Sequence, residues 1–215
     1  MDWRRALNRW GRRVPVWAVY LICLLPMPWL FWLAASGQLS VEPIAALEHR
    51  YGLLALQFLM AGLCVTPLRR VAGINLLRFR RALGLIAFWY LCAHLLVWLV
   101  LDVQSPARIW ADLVKRPYIT VGMAGLLCLL PLALTSSDRA IRRLGVAWRR
   151  LHRLVYPAVI LACLHFVMLR KGLQPEPLIY GAGAVGLLIL RVPWNRLAKA
   201  FQNRGIHPDS GQSRG

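Results

Sequence analysis

Six stretches of the chain are long and apolar, and basic or mixed polar segments separate them. A helix needs about 17 to 25 such residues to cross the hydrocarbon core of a bilayer. The pattern therefore predicts an all-α fold, a polytopic membrane bundle of six transmembrane helices. The predicted spans are Val14–Ala35, Ala46–Val65, Ala82–Leu101, Tyr118–Leu134, Trp148–Leu169 and a shorter sixth, Leu178–Val192. Pro67 is expected to stop the second span, because proline breaks the helical hydrogen-bond ladder.

The two ends of the chain differ in composition from its middle. Residues 1–13 are basic and contain two tryptophans, which predicts an interfacial segment, and residues 14–193 form one membrane domain. Residues 194–215 are predicted to be a cytoplasmic tail that starts amphipathically and is disordered over its last ten residues. The competing interpretation of the first span is a secretory signal, but its apolar run is long for one, which favours a retained helix.

The distribution of basic residues indicates how the bundle is oriented. The chain has 27 Lys and Arg against 8 Asp and Glu, and 59% of its residues are hydrophobic. The basic residues fall between the apolar runs, where they meet lipid headgroups, so the charge does not indicate nucleic-acid binding. With the N-terminus inside, 21 of them lie in inner segments and 6 in outer ones. Both termini are therefore predicted to be cytoplasmic.

Three histidines within the apolar runs are the candidate functional residues. His152 and His165 are 13 residues apart in the fifth span, about 20 Å along a helix, so they approach opposite faces of the membrane. His94 in the third span should reach the depth of His165. Ionisable groups at that depth are costly and usually functional, and imidazole is a common ligand of haem iron. We expect His94 and His165 to be the axial ligands of a haem near the outer face; the alternative is a histidine pair hydrogen-bonded within the bundle.

The inner level of the same two helices pairs His152 with an arginine. On an ideal helix Arg80 lies about 40° from His94, whereas Arg81 lies about 140° away, so Arg80 is better placed to face the same space. Arginine is a poor iron ligand but can pair with a haem propionate. His152 is the ligand expected for a second haem, and the alternative is an ordinary interfacial histidine. His152 and His165 also lie about 140° apart, and Pro157 between them could restore the alignment by kinking the helix.

Several other kinds of site lack support. The five cysteines lie in apolar runs without a CxxC pair, so they indicate neither disulfides nor zinc. A CxxCH motif is also missing, which predicts a haem that is not covalently attached, a b-type haem. Neither a Ser-His-Asp set nor a Walker or Rossmann pattern is present, so hydrolase and nucleotide-binding functions are not indicated.

Several segments together resemble one known family. The chain is similar to the MsrQ (YedZ) family, haem-binding membrane subunits of a periplasmic methionine sulfoxide reductase system, and more widely to the ferric reductase-like transmembrane domain. In that wider group four histidines on two helices hold two haems, whereas the inner position of the third span here is Arg80. The segments that carry the resemblance are VTPLRR (65–70), RRALGLIAFWYLCAH (80–94), KRPYITVGM (115–123), LPLALTSSDRAIRRLG (130–145) and WRRLHRLVYPAVILACLHF (148–166).

The resemblance implies a function in electron transfer rather than catalysis. It implies a subunit of the bacterial inner membrane that takes electrons from the quinone pool and passes them to MsrP, a periplasmic molybdenum-cofactor enzyme that reduces methionine sulfoxide in proteins. The family is also credited with binding FMN, for which no residues are assigned here. The chain shows no flavin or NADPH domain beside its membrane region, so the electrons are expected to come from elsewhere.

Two other functions fit the same residues. One is a free-standing ferric or quinone reductase with the same haem and no fixed partner, and the other is a membrane scaffold whose histidines are structural. If the chain is instead the electron-transfer subunit that the resemblance implies, the outer connection from Asp102 to Pro117 is the expected landing surface for the periplasmic partner, with Arg108, Lys115 and Arg116 available for contact.

Overall fold

A computed structural model describes residues 2–169 and 174–191 of the chain, and within these residues the fold is entirely helical. The predicted all-α class is confirmed. The α-helices are α1 (Asp2–Arg13), α2 (Val16–Leu24), α3 (Pro26–Ala35), α4 (Pro43–Pro67), α5 (Arg80–Leu96), α6 (Pro106–Lys115), α7 (Pro117–Leu134), α8 (Asp138–Leu144), α9 (Val146–Leu151), α10 (Val155–Leu169) and α11 (Pro175–Arg191). Turns of π-helix, Leu68–Ala72 and Val97–Val103, extend α4 and α5, and 3₁₀ turns, Leu77–Phe79 and His152–Leu154, precede α5 and α10.

Five helical segments are long and apolar enough to cross a membrane by length and composition. They correspond in order to the first five predicted spans, and they are Val16–Ala35, Pro43–Ala72, Leu77–Val103, Pro117–Leu134 and Val146–Leu169. The predicted sixth span overlaps α11, which has 17 residues in the described part of the chain. A count of six spans and cytoplasmic termini both stay predictions, and the predicted tail, residues 194–215, lies outside the described residues.

The polar connections contain more helix than their composition indicated. The outer connection from residue 102 to 117, predicted as a loop, forms α6, and the basic segment after α7 forms α8. Both helices are short and start with a recognised signal. Pro106 is the first residue of α6, where its missing N–H costs nothing, and Ser137 caps α8 by accepting a hydrogen bond from the Ala140 N–H at 3.1 Å.

Two helix pairs form the centre of the bundle. α4 packs along α5, α7 packs along α10, and α11 lies against both α10 and α4. The core between these pairs is aliphatic, and Leu63, Ala158 and Val159 in it are almost fully buried. A second core joins α2 and α3 to the α4–α5 pair, where the buried Tyr90 hydroxyl donates to the Cys23 carbonyl at 2.8 Å. The two central pairs therefore enclose the space in which the candidate histidines lie.

Pro67 does not end the second span, so that prediction is wrong. The helix passes through Pro67, continues as a π-helix to Ala72 and ends at Gly73, whose φ of +71° favours glycine. A proline inside a helix leaves the carbonyl four residues earlier without its usual donor. Here that carbonyl, on Leu63, accepts a hydrogen bond from the Arg191 Nε at 3.0 Å. The end of α11 thus supplies the donor that Pro67 lacks.

Arg191 also binds other groups at the same point. Its guanidinium donates to the Thr66 hydroxyl at 3.1 Å and approaches the Gly62 carbonyl and the Tyr156 hydroxyl, each at 3.4 Å. A polar group without a partner is costly in an apolar bundle, so this cluster joins α11 to α4 and α10.

We therefore predict that Arg191 and Pro67 are energetically coupled. Arg191→Met should lower the thermal midpoint of helix loss by several degrees, because an unpaired buried carbonyl costs about 1–3 kcal/mol. In a Pro67→Ala background the loss should be smaller, because the alanine introduced there supplies a backbone N–H to the Leu63 carbonyl. Circular dichroism of the detergent-solubilised variants measures both.

The matched control is Arg70→Met, because the Arg70 side chain also donates to a backbone carbonyl, that of Arg191, but lies exposed. Its midpoint should stay close to that of the unmodified protein. An equal loss from Arg191→Met with proline and with alanine at position 67 would show that the two residues are not coupled.

Candidate cofactor site

The fold brings His94 and His165 together from different helix pairs. His94 lies near the end of α5 and His165 near the end of α10, and their ring centroids are 6.2 Å apart with ring planes at 82°. Both line a cavity of about 250 Å³ between the two pairs, which we call the bis-histidine cavity. The two imidazoles that the sequence predicts at a similar depth therefore lie close together, and both border one cavity.

Each of these imidazoles binds a backbone carbonyl of the neighbouring helix. His94 Nδ1 lies 2.9 Å from the Glu48 carbonyl on α4, and His165 Nδ1 lies 2.7 Å from the Tyr118 carbonyl on α7. A carbonyl oxygen only accepts, so both Nδ1 atoms carry the proton. Both Nε2 atoms are then left with a lone pair, which is the form of histidine that binds a metal.

The spacing of the rings fits one metal ion between them. Two Nε2 atoms that each bind a metal at about 2.0–2.1 Å place their ring centres about 6 to 6.5 Å apart. The observed 6.2 Å lies in that range. The nearly perpendicular rings can bind from opposite sides of a planar group, so the pair fits the axial positions of a haem iron.

Two glycines make room for these imidazoles. A Cβ atom at Gly122 would lie 2.8 Å from His165 Nδ1, and one at Gly52 would lie 3.1 Å from His94 Nδ1. Each glycine lies one helical turn after the residue whose carbonyl binds the same ring. The α4–α5 and α7–α10 pairs thus repeat one arrangement, with the histidine 46 and 47 residues after its carbonyl partner.

Sequence reasoning missed both glycines and both carbonyl partners. A signal was present, because Gly52 and Gly122 interrupt apolar spans and precede His94 and His165 by almost the same number of residues. The lining of the bis-histidine cavity is mainly apolar, and it includes Leu56, Leu91, Trp98, Leu126 and Phe166. Its charged residues are Glu48, Asp102 and Arg116.

A second cavity, of about 420 Å³, contains the other two predicted site residues. Arg80 and His152 both line it, and we call it the arginine cavity because Arg81, Arg149 and Arg153 line it as well. Within the described residues no carboxylate belongs to its lining, although Asp138 pairs with Arg81 beside it. An environment of this charge suits an anionic group.

His152 is held in place by Trp148. Its Nδ1 lies 3.1 Å from the Trp148 carbonyl one turn earlier, and the two rings stack at 3.8 Å. The Trp148 indole in turn donates to the Thr135 carbonyl at 3.0 Å. His152 Nε2 therefore also keeps its lone pair, but no second histidine lines this cavity among the described residues.

The helix between His152 and His165 is not ideal. His152–Leu154 form a 3₁₀ turn, which advances about 120° per residue instead of 100°. Over three residues the difference is about 60°, so the 140° between the two histidines falls to about 80°. The adjustment lies just before Pro157, whose missing N–H interrupts the helical ladder.

Leu59 and Leu129 line both cavities, which are therefore neighbours along the bundle.

Known proteins match most of this chain. Residues 49–163 match the family described as ferric reductase like transmembrane component. A curated relative from Agrobacterium fabrum, "Protein-methionine-sulfoxide reductase heme-binding subunit MsrQ", is 47% identical over 194 residues, 90% of each chain. A protein of the same name from Rhizobium meliloti is 44% identical over 204 residues, which cover 93% of this chain and 92% of the relative. Another, from Brucella ovis, is 45% identical over 194 residues, which cover 88% of each chain. No solved structure matches.

We predict that Gly122→Ala weakens haem binding through His165. The added methyl group would overlap the imidazole and displace it from the Tyr118 carbonyl. Loss of such a supporting contact typically costs about tenfold to a hundredfold in metal affinity. Haem titration of the apoprotein, followed by absorption spectroscopy, measures the change.

Gly186→Ala on α11 is the matched control. Gly186 lines neither cavity and no atom lies within 4 Å of the added Cβ, so affinity should stay within about twofold of the unmodified protein. An unchanged affinity in Gly122→Ala would show that the position of the His165 ring does not depend on this glycine.

Proposed function

The chain belongs to the MsrQ family of haem-binding subunits, within the ferric reductase-like transmembrane proteins, and from this membership we propose that it carries electrons across a membrane. The proposed acceptor is the catalytic subunit of a methionine sulfoxide reductase system, as the names of the relatives imply. The observation that supports this proposal most is the pair of histidines that line one cavity with ring centroids 6.2 Å apart, each with its Nδ1 on a backbone carbonyl.

His94 and His165 are the proposed axial ligands of one b-type haem. When bound, haem supplies an iron centre that accepts and releases one electron. The two imidazoles would occupy both axial positions, which favours electron transfer over oxygen binding. The protein contributes the fixed tautomers, the apolar lining and a position between two helix pairs, so little rearrangement is needed when the charge changes.

The arginine cavity is the proposed second cofactor site. His152 Nε2 would bind an iron from one side, and Arg80 with Arg149 and Arg153 would pair with an anionic group such as a haem propionate. FMN, which the family resemblance implies, carries a phosphate that the same arginines suit. Among the residues that the structure describes, His152 is the one histidine in the lining of this cavity, so its occupant is a finer proposal than the haem between His94 and His165.

The proposed route leads from the arginine cavity to the bis-histidine cavity. The split of 21 inner and 6 outer basic residues supports six spans with both termini in the cytoplasm, in a bacterial inner membrane. Under that orientation the bis-histidine cavity lies near the periplasmic side. Electrons from the quinone pool would leave there for an MsrP-like periplasmic enzyme. This chain would then be an electron-transfer subunit without a substrate site of its own.

The helix α6 is the proposed contact surface for that enzyme. The side chains of Trp110 and Val114 are about 70% exposed, and Arg108 and Lys115 are exposed beside them. Arg116 is less available, because it pairs with Asp112 at 3.2 Å and donates to the Tyr118 hydroxyl at 3.3 Å. The Tyr118 carbonyl supports His165, so α6 lies close to the proposed exit for electrons.

We predict that His94→Ala and His165→Ala each remove the haem or leave it five-coordinate and high-spin. Electron delivery to a periplasmic acceptor should collapse in both variants, because the exit centre is lost. His152→Ala should change the spectrum less, because no second histidine lines its cavity among the described residues. Oxidised and reduced spectra of variants matched for their level in the membrane measure these effects.

The haem should be extractable in acid solvent, since no CxxCH motif attaches it. A low-spin spectrum that stays unchanged in both His94→Ala and His165→Ala would reject the assignment. A protein without any haem spectrum would favour a structural scaffold. Haem reduction without copurification of a reductase subunit would favour a free-standing reductase.

We also predict that Arg108→Glu with Lys115→Glu slows electron delivery at low salt while leaving the haem spectrum unchanged. Charges at the rim of an interface act mainly on association, so the rate constant for association should fall and its salt dependence should change. Stopped-flow oxidation of the reduced protein by its acceptor measures this. The control is Arg142→Glu with Arg143→Glu on α8, because both residues are exposed and line neither cavity; its association rate should be unchanged. Equal association rates in the Arg108–Lys115 variant and the unmodified protein would exclude α6.

A further inference from the structure

The N-terminal helix α1 has three faces with different chemistry. At 100° per residue, Trp3, Leu7 and Trp10 fall within about 60° of one another. Asn8 and Gly11 lie about 80° to 140° from Trp3 on one side of this stripe, and Arg9 and Arg13 lie about 120° and 80° from Trp3 on the other side. We infer that α1 is a membrane-surface helix that inserts its tryptophan face between lipid headgroups and binds anionic phospholipid through its arginines.

One face of α1 is already occupied by the chain itself. The Asn8 side chain donates to the Gly73 carbonyl at 3.0 Å and accepts from the Asn75 N–H at 2.8 Å. The Arg78 guanidinium donates to the Arg12 carbonyl at 2.6 Å and the Gly11 carbonyl at 3.3 Å, so it caps the C-terminus of α1. These bonds fix the helix on the segment between α4 and α5.

The apolar face has no such cover. Trp3 is 53% exposed, Leu7 44% and Trp10 69%, whereas Asn8 and Gly11 on the docked face are not exposed. Indole rings favour the depth of the headgroups, where one edge of the ring is apolar and the other can donate to water or phosphate. A stripe of two tryptophans and a leucine is therefore more stable in the headgroup region of a bilayer than in bulk water.

The position of α1 keeps this face at the bilayer. Only Val14 and Pro15 separate α1 from α2, the start of the first membrane-capable segment. Two linking residues span about 10 Å at most between the helix ends, so α1 cannot move far from the membrane surface. On another side of α1, the face with Asn8 and Gly11 is bound to the segment that leads into α5. A partner from solution would have to displace lipid to reach the tryptophans.

The charge of α1 indicates which lipid it contacts. The helix carries five arginines and one aspartate. Basic residues close to a membrane surface are attracted to anionic lipid, and an amphipathic helix with basic residues beside its apolar face is the usual form of such a contact. The segment that α1 holds continues through Leu77–Phe79 into Arg80, so bound lipid would also steady one wall of the arginine cavity.

Hydrogen exchange of the full chain in lipid nanodiscs tests this inference. Amide exchange in α1 should be about tenfold slower or more in a bilayer that contains phosphatidylglycerol than in one of phosphatidylcholine alone. High salt should reduce the difference, because it screens exposed charges. Exchange in the buried part of α5, which includes Ile86 and Tyr90, serves as the internal control and should be the same in both bilayers.

Two variants separate the roles of the faces. Replacing Arg9 and Arg13 with Gln should abolish the lipid dependence, because these two arginines flank the tryptophan face. Arg4 and Arg12 stay, because Arg4 stacks on Trp3 and Arg12 binds the Asn8 carbonyl. Trp3→Ser with Trp10→Ser should make α1 exchange fast in both bilayers. Trp110→Ser on α6 is the matched control and should leave α1 unchanged.

Two results would overturn the inference. Fast exchange of α1 in both bilayers in the unmodified protein would mean that the tryptophan face is open to water and available to a soluble protein. Slow exchange in both bilayers that persists in the Trp3–Trp10 variant would mean that docking on the Gly73–Arg78 segment alone holds the helix.

Discussion

The hydrogen bonds from His94 and His165 to backbone carbonyls are the interaction on which the candidate site depends. In a bundle with an apolar lining an imidazole needs a partner, and these carbonyls bind the Nδ1 atom and leave Nε2 free of that bond, in residues that line the cavity. The bond also restricts the orientation of each ring. It requires close approach of neighbouring helices, which explains why glycine stands one turn beyond each carbonyl. The helix pairs α4–α5 and α7–α10 thus position both ligands by the same device.

Other polar groups follow the same constraint. Pro67 has no backbone N–H to donate to the Leu63 carbonyl, and Arg191 from α11 supplies the donor instead. A hydrogen bond missing within one helix is thus replaced by a side chain of another helix. Tyr90 and Trp148 are largely apolar side chains, yet each directs its polar atom to a carbonyl. The bundle is therefore joined by aliphatic packing together with a few hydrogen bonds to backbone oxygens, which an apolar interior makes costly to leave unpaired.

The two cavities differ in charge although they lie along the same helices. Arginines surround the one that holds His152, whereas the one that holds His94 and His165 is mainly apolar, with Glu48, Asp102 and Arg116 in its lining. This difference suits an anionic cofactor in the first cavity and a haem held by two imidazoles in the second. The basic residues that set the predicted orientation, such as Arg80, Arg149 and Arg153, also line the arginine cavity.

The sequence by itself determined the helical class, the first five membrane-capable segments and the candidate histidines. The length of an apolar run and the presence of a histidine in it are properties of one segment, so they do not depend on which helices pack together. Helical angles favoured Arg80 over Arg81, but both arginines line the arginine cavity in the structure. The sequence could not determine that Pro67 lies inside a helix, because the compensating donor is 124 positions away, on Arg191. Nor could it identify the Glu48 and Tyr118 carbonyls or the purpose of Gly52 and Gly122. Those depend on which helices become neighbours, and only the tertiary packing of α4 against α5 and of α7 against α10 decided that.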